Sequence, residues 1–319
     1  KTVFAPYADP LIFLFIGSFI LARALFVRNL DKRVAFTVLS LKIIGGRPSR
    51  ILFAFGAVTA FMSGWMSNTA TTAMMFAIGL SIIAFLKRQE KETGIKINPS
   101  YATALMLMTS FSASIGGVAT PIGTPPNVIG IGFIRSLAGT DISFFKWMII
   151  GVPIVIVLFL FLRFYLNKLA PAGVKMIEGS AEMIAAERKK LGPWTRGQRS
   201  VAIAFAITVV FWIVPGIVAL ILGEQSQQYK ILNGRLPESV GALLGAMLLF
   251  ILPGDEPGDK AISWEDAVKI DWGVVFLYGG GFALGVLSFQ TGLAEAVGRG
   301  LTEILPFSGG FGLLVASVI

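Results

Sequence analysis

Three consecutive small polar residues, Ser67-Asn68-Thr69, interrupt an apolar stretch that runs from residue 51 to residue 86. Polar side chains inside such a stretch need partners, because water is scarce there. Their hydroxyl and amide oxygens, together with backbone carbonyls, can surround a hard cation such as Na⁺. The half-helix that starts at Ala70 would direct its N–H groups and its positive dipole end to the same place, which favours an anion. A Ser/Thr-capped turn between two packed helices explains these residues equally well.

A second break, Gly123-Thr124-Pro125-Pro126-Asn127, interrupts the next apolar stretch, residues 101–135. Glycine allows the backbone to approach a ligand closely, and proline leaves carbonyls without helical partners. Such carbonyls can bind cations, although a simple proline kink remains the alternative. Two broken apolar segments in succession are typical of the substrate site of a secondary transporter.

The elements that would position these breaks are membrane helices. Of the 319 residues, 55% are hydrophobic and only 14% are charged, which is too little charge for the surface of a soluble domain. Several apolar runs reach the length of about 20 residues that crosses a bilayer. We therefore predict an all-α, multi-pass membrane transporter with a re-entrant hairpin at 51–86 and one broken crossing at 101–135. The predicted spans are 10–27, 148–166, 201–222, 239–252 and 272–290.

Composition also excludes several functions. The chain contains neither Cys nor His, so Ser–His, Cys–His and zinc mechanisms are excluded within it, and we predict that it is not an enzyme. A Na⁺/H⁺ antiporter usually needs an acid within a span. Up to residue 87 the only acids are Asp9 and Asp31, both at span ends, which disfavours this alternative.

The net charge of +9 indicates the orientation of the chain rather than binding to nucleic acid. Most of the 27 Lys and Arg residues lie in three segments: a basic interfacial helix at 28–50, a charged loop at 87–96 and a basic loop at 167–200. If the hairpin re-enters on its own side, these segments share one face. That face should be cytoplasmic, because cytoplasmic loops carry excess positive charge. We predict a location in the plasma or inner membrane of the cell.

An internal repeat suggests inverted topology. Residues 13–21 resemble residues 276–284, and the predicted crossings place the two copies in opposite orientations. We predict a scaffold span with its interfacial helix at 1–50 and the transport domain of the first repeat at 51–138. Further spans with the cytoplasmic loop follow at 139–252, and the incomplete start of a second repeat follows at 253–319. Because the chain opens on Lys1, we expect it to be a fragment.

Together the motifs resemble those of the divalent anion/sodium symporter family, which includes sodium-coupled di- and tricarboxylate and sulfate carriers. The likeness covers nearly all of the chain. It is carried by Met66–Thr71, by Ser114–Gly117 with Gly123–Asn127, and by Tyr278–Gly281 with Gln290–Gly292.

This resemblance implies a homodimer in which a transport domain moves against a scaffold. It implies Na⁺ ligands at Ser63, Ser67, Asn68 and the Gly123 carbonyl. It also implies a substrate carboxylate at Asn68, Thr69 and Thr124. The second Ser-Asn-Thr of the family is not found before Ile319, so we expect half of the site to lie beyond this residue.

The expected function is Na⁺-coupled transport of a small dianion, most simply a C4-dicarboxylate such as succinate, malate or fumarate. A sulfate or tricarboxylate carrier, or a dicarboxylate exchanger, remains the alternative within the same family.

Overall fold

The computed structural model describes residues 4–304. They form two structural units, of which the larger comprises residues 10–272 and the smaller combines the described parts of residues 1–9 and 273–319. The α-helices are α1 (Pro10–Val27), α2 (Leu30–Leu39), α3 (Pro48–Ser63), α4 (Asn68–Thr93), α5 (Pro99–Gly116), α6 (Pro125–Ala138), α7 (Phe144–Leu169), α8 (Ser180–Lys190), α9 (Arg196–Leu222), α10 (Gln227–Arg235), α11 (Glu238–Ile251), α12 (Trp264–Ala267), α13 (Trp272–Gln290) and α14 (Leu293–Ile304).

In the described residues, five helices are long and apolar enough to cross a membrane: α1, α4, α7, α9 and α13. The pair α10–α11, which is bent by 50°, would make a sixth crossing if it acts as one span. Large apolar side chains on the outer face of α7 are exposed, including Val157, Phe161 and Phe164 at about two-thirds of their area. Such a surface suits lipid rather than water. The prediction of an all-α, multi-pass membrane protein is confirmed.

Within the larger unit, α1 packs against α11, and both contact α9. Small residues allow this close approach: a Cβ added at Gly17 would lie 2.7 Å from the Cβ of Ala242. Likewise, a Cβ at Gly245 would collide with the Thr208 side chain. Close backbone contact through small residues is the usual way in which membrane helices associate, because lipid provides no hydrophobic driving force between them.

A second group of helices carries the two breaks. Helix α3 packs along α5, α4 packs against both, and α7 contacts α3 and α5. A Cβ at Gly116 would collide with the backbone of Ala60, so the ends of α5 and α3 touch directly. The ends of these helices are therefore held in a fixed relation to each other.

The predicted charged loop at 87–96 is wrong for most of its length, because α4 continues to Thr93 and ends at Gly94 with φ 72°. Lys, Arg, Gln and Glu are good helix formers, so a charged segment can extend a helix into water. Helix α4 thus has 26 residues and is long and apolar enough to cross a membrane. The re-entrant hairpin at 51–86 stays a prediction.

The predicted interfacial helix at 28–50 and the predicted basic loop at 167–200 also need correction. The segment 28–50 is helical only in α2 and at the start of α3, and the basic loop at 167–200 contains α8. The unpredicted helix α10 precedes α11. Arg23, within α1, pairs with Asp266 at 3.4 Å.

In the smaller unit, the ring of Tyr7 lies where a Cβ of Gly279 would be. Of the predicted start of a second repeat at 253–319, α12, α13 and α14 lie within the described residues, and residues 305–319 fall outside them.

Candidate ion and substrate site

The turn between α3 and α4 spans residues 64–67 and forms the hairpin tip. Ser67 is the N-cap of α4, and its Oγ accepts a hydrogen bond from the backbone N–H of Ala70 at 3.2 Å. The capped-turn interpretation of Ser67 is therefore correct as local structure. Because α4 begins at Asn68, the N–H groups of its first turn lack acceptors within the helix. They give the tip a positive end that can attract an anion.

The second break is a compact loop between α5 and α6. Residues 121–123 form one 3₁₀ turn, and Thr124 is extended before Pro125 opens α6. The buried side chain of Asn127 closes the loop, because its Nδ2 donates to the carbonyls of Gly117 and Thr120, each at 2.8 Å. The loop shape thus depends on a side-chain amide rather than on a simple proline kink.

The two breaks touch. The hydroxyl of Thr120 donates a hydrogen bond to the carbonyl of Gly64 at the hairpin tip. On the other side of the loop, a Cβ at Gly117 would lie 2.5 Å from the Asn68 Oδ1 position. Residues about 50 positions apart in sequence therefore share one site, as the two consecutive broken segments predict.

The side-chain amide of Asn68 lies at the centre of this contact. One of its two polar ends is 2.6 Å from Ser63 Oγ, 3.1 Å from the Ala113 carbonyl oxygen and 3.3 Å from the Gly123 carbonyl oxygen. These neighbours can all accept hydrogen bonds, whereas the other end of the amide faces only donors. The hydrogen-bond pattern therefore assigns the NH₂ group to the end that faces the three oxygens.

A site with these oxygens fits a small hard cation. Ser63 is fully buried. Its hydroxyl oxygen and the carbonyl oxygens of Ala113 and Gly123 all face one position, which the partly positive NH₂ group of Asn68 occupies. Sodium prefers neutral and anionic oxygen ligands, as other hard cations do. Ser63, Asn68 and Gly123 are brought together as predicted. Ser67 lies beside them, and its hydroxyl is used as the helix cap.

The other predicted anion ligands, Thr69 and Thr124, adjoin Asn68 and Gly123 in the chain. Thr69 is exposed on the first turn of α4, and Thr124 is half-buried at the start of α6. In the described residues, neither hydroxyl has a hydrogen-bond partner in the protein, so both are available to donate. Residues 51–86 and 97–134 contain no charged side chain, so no fixed cation lies on these segments.

Sequence reasoning assigned no role in the site to three contributors to this geometry: Ala113, Gly117 and Thr120. Ala113 acts through its backbone carbonyl, and Gly117 acts through the space that it leaves for Asn68. No side-chain signal marks either of them. The hydroxyl of Thr120 donates a hydrogen bond to the Gly64 carbonyl at the hairpin tip. The position of Thr120 in the sequence, three residues before Gly123, does not predict this contact.

The chain is similar to known membrane transport proteins. The chain is 35% identical over 308 residues to a sodium-dependent dicarboxylate transporter, SdcS, of Staphylococcus saprophyticus, covering 95% of this chain and 57% of that protein. Its counterpart in Staphylococcus aureus strain USA300 shows the same identity and coverage. The chain thus spans little more than half the length of these relatives.

The family profile described as the sodium:sulfate symporter transmembrane region matches residues 1–319, the whole chain. The resemblance seen in the motifs is thereby confirmed. Members of this family are transporters rather than enzymes. The chain belongs to the sodium:sulfate symporter family of multi-pass membrane transport proteins.

Proposed function

We propose that the protein containing this chain carries a C4-dicarboxylate across the membrane together with Na⁺. The observation that supports this most directly is the convergence of Ser63, Ala113 and Gly123 oxygens on the amide of Asn68. The relatives named sodium-dependent dicarboxylate transporters support the same cargo and the same coupling ion.

Coupling between Na⁺ and substrate would depend on the Asn68 amide. When the NH₂ group of Asn68 faces the oxygens of Ser63, Ala113 and Gly123, it occupies the position that a cation would take. When Na⁺ binds there, reversing the amide would present Oδ1 to the ion and turn the NH₂ away from it. The NH₂ could then donate to a substrate carboxylate. One residue would thus make the binding of the ion and the binding of the substrate interdependent.

The substrate carboxylate would be held by the hydroxyls of Thr69 and Thr124 and by N–H groups of the first turn of α4. With no Lys or Arg on these two segments, the charge of a dianion would be balanced by co-bound Na⁺ and by the helix dipole. The other half of the site would come from residues beyond those described.

Transport would require the group α3–α6 to move against the group α1, α9 and α11, as in other carriers with a central site between repeats. We also propose a homodimer, which the family resemblance implies, and a location in the plasma or inner membrane. Sulfate, tricarboxylate and exchange modes are the alternatives within the family. A Na⁺/H⁺ antiporter is less favoured, because the two broken segments contain no acid.

The test is uptake of labelled succinate by the full-length protein in liposomes, with and without a Na⁺ gradient, and with malate, sulfate or citrate as competitors. We expect uptake that requires Na⁺ and is inhibited by malate more than by sulfate or citrate. Uptake that is independent of Na⁺ but accelerated by internal dicarboxylate would identify an exchanger instead. Preferential inhibition by sulfate or citrate would assign the cargo to the corresponding alternative.

A further inference from the structure

A basic groove of about 600 Å³ lies between α2 and α8, apart from the site described above. It is lined by Arg33 on α2, by Arg188 and Lys189 at the end of α8, and by Trp194 in the following segment. The remaining lining residues are uncharged, and no carboxylate is among them. We call this feature the α2–α8 groove.

Arg33 forms the floor of the α2–α8 groove, and only 6% of its area is exposed. Its guanidinium donates to three consecutive backbone carbonyls, those of Leu191, Gly192 and Pro193, at 2.7–3.0 Å. It also lies over the ring of Trp194, with 5.5 Å between Cζ and the ring centroid. These carbonyls and the aromatic ring do not neutralise its charge, and its buried Nε has no hydrogen-bond partner within the described residues.

No carboxylate pairs with Arg33 within the described residues. A buried cation with only neutral partners keeps a strong positive potential at the nearest opening. Here that opening is the α2–α8 groove.

The mouth of the groove adds two more positive charges. Arg188 and Lys189 are exposed and form no ion pair within the described part of the chain. Arg188 donates to Ser40 Oγ at 3.1 Å, which holds its guanidinium toward α2. The nearby acid Glu187 forms an ion pair with Lys190, with 2.5 Å between Glu187 Oε1 and Lys190 Nζ. Arg33, Arg188 and Lys189 thus line one groove, and none of them forms an ion pair within the described residues.

The position of the groove suggests the source of the missing negative charge. The basic segments that contain α2 and α8 are those assigned to the cytoplasmic face, where anionic lipid headgroups concentrate. Trp194 is 47% exposed at the groove wall, and tryptophan favours the headgroup level of a bilayer. The volume is sufficient for a phosphodiester with its glycerol.

We propose that the α2–α8 groove binds the phosphate of an anionic phospholipid headgroup. Arg188 and Lys189 contact the phosphate oxygens, and Trp194 packs against the glycerol region. The positive charge of the buried Arg33 attracts the phosphate from the floor of the groove. Binding of the headgroup links α2 to the end of α8 and relieves repulsion among the three cations. This proposal does not depend on the identity of the transported anion.

The test uses the full-length protein in phosphatidylcholine vesicles that contain an increasing fraction of phosphatidylglycerol brominated near the glycerol. Bromine quenches nearby tryptophan, and the signal of Trp194 is obtained as the difference between the wild type and W194F. The groove variant is R188Q/K189Q. Its matched control, K87Q/K91Q, removes the same charge from exposed positions of α4. The variant R188K/K189R tests rescue, and thermal unfolding checks that each variant is folded.

We expect saturable quenching of Trp194 in the wild type, in K87Q/K91Q and in R188K/K189R, and about ten-fold weaker binding in R188Q/K189Q. Equal quenching by brominated phosphatidylcholine, or unchanged binding by R188Q/K189Q, would overturn the proposal. Inorganic phosphate and polyglutamate are added as competitors. Displacement of the lipid by dilute phosphate would assign the groove to a soluble phosphate. Displacement by dilute polyglutamate would assign it to an acidic protein segment, and either result would contradict a lipid site.

Discussion

Gly117 leaves the space that the side chain of Asn68 occupies: a Cβ at residue 117 would come within 2.5 Å of the amide end of Asn68 that faces the three oxygens. The carbonyl of Gly117 in turn lies where a Cβ of Gly123 would be, at 2.5 Å. Two glycines therefore let the loop between α5 and α6 close around the hairpin tip. The Asn68 amide can reach the carbonyl of Gly123 only because neither position carries a side chain.

Replacing Gly117 with Ala should displace Asn68 from its three oxygens. Overpacking of this kind typically costs about 1–3 kcal/mol, which corresponds to roughly ten-fold or more in binding. We expect Na⁺-dependent succinate binding by the full-length protein to weaken by about that factor. The control is Gly130→Ala on α6, where a Cβ would meet nothing within 4 Å. Equal binding by G117A and G130A would show that the Gly117–Asn68 contact is not needed.

Replacing Asn68 with Ala should weaken Na⁺ and substrate binding together, because we assign both to its amide. Each lost partner costs on the order of 1–3 kcal/mol. In the wild type, Na⁺ should raise substrate affinity and substrate should raise Na⁺ affinity by the same factor. Thr69→Ala should weaken substrate more than Na⁺, since only the anion is assigned to its hydroxyl. Calorimetric titration of each ligand in the presence and absence of the other measures these terms. An N68A protein with unchanged affinities would leave Ser67-Asn68-Thr69 as a helix cap alone.

Replacing Thr120 with Val keeps the shape of the side chain but removes the hydroxyl that bonds to the Gly64 carbonyl. A buried carbonyl without its donor costs about 1–3 kcal/mol, so we expect a lower unfolding temperature of the detergent-solubilised protein. The contact between the tip and the loop should loosen as well, with weaker Na⁺ binding. Thr140→Val is the matched control, because the Thr140 hydroxyl bonds to the Ala138 carbonyl in an exposed turn. A T120V protein as stable as T140V would contradict this role.

Asp31 on α2 should make stability depend on pH. Its side chain is fully buried, Oδ1 accepts from the Lys32 N–H at 2.8 Å, and Oδ2 has no partner in the described residues. Burial raises the pKa of Asp31 to about 6. The folded state therefore favours the protonated form. This favourable contribution is complete below the unfolded pKa of about 4 and is lost as the pH rises through about 6.

Replacing Asp31 with Asn should remove this dependence. At pH 7.5 the variant should be more stable than the wild type by on the order of 2 kcal/mol, and the two should converge near pH 4. Thermal unfolding between these pH values measures the difference. A stability gap of the same size at both ends would mean that the effect is packing rather than protonation.

The positions of the two breaks could be predicted from sequence, because they depend on local chemistry. Ser67 caps a helix through its own first turn, and Pro125 opens one because it needs no N–H partner. The charged residues 87–93 show where local reasoning fails. The same side chains suit both an exposed loop and an exposed helix, and the helix continues until Gly94 stops it.

By itself, the sequence determined the helical membrane class and the positions of the two polar interruptions, whereas the ligands for an ion and a carboxylate were only implied by the family resemblance. Apolar length and residue chemistry are sufficient for the first two conclusions. Only the tertiary structure decided that the amide of Asn68 meets the carbonyls of Ala113 and Gly123, and that Thr120 joins the loop to the hairpin tip. These contacts follow from the close approach of α3 and α5 where Gly116 touches Ala60. Helix packing sets such distances, because carbonyls carry no sequence signal and residues far apart in the chain meet only once the helices are assembled.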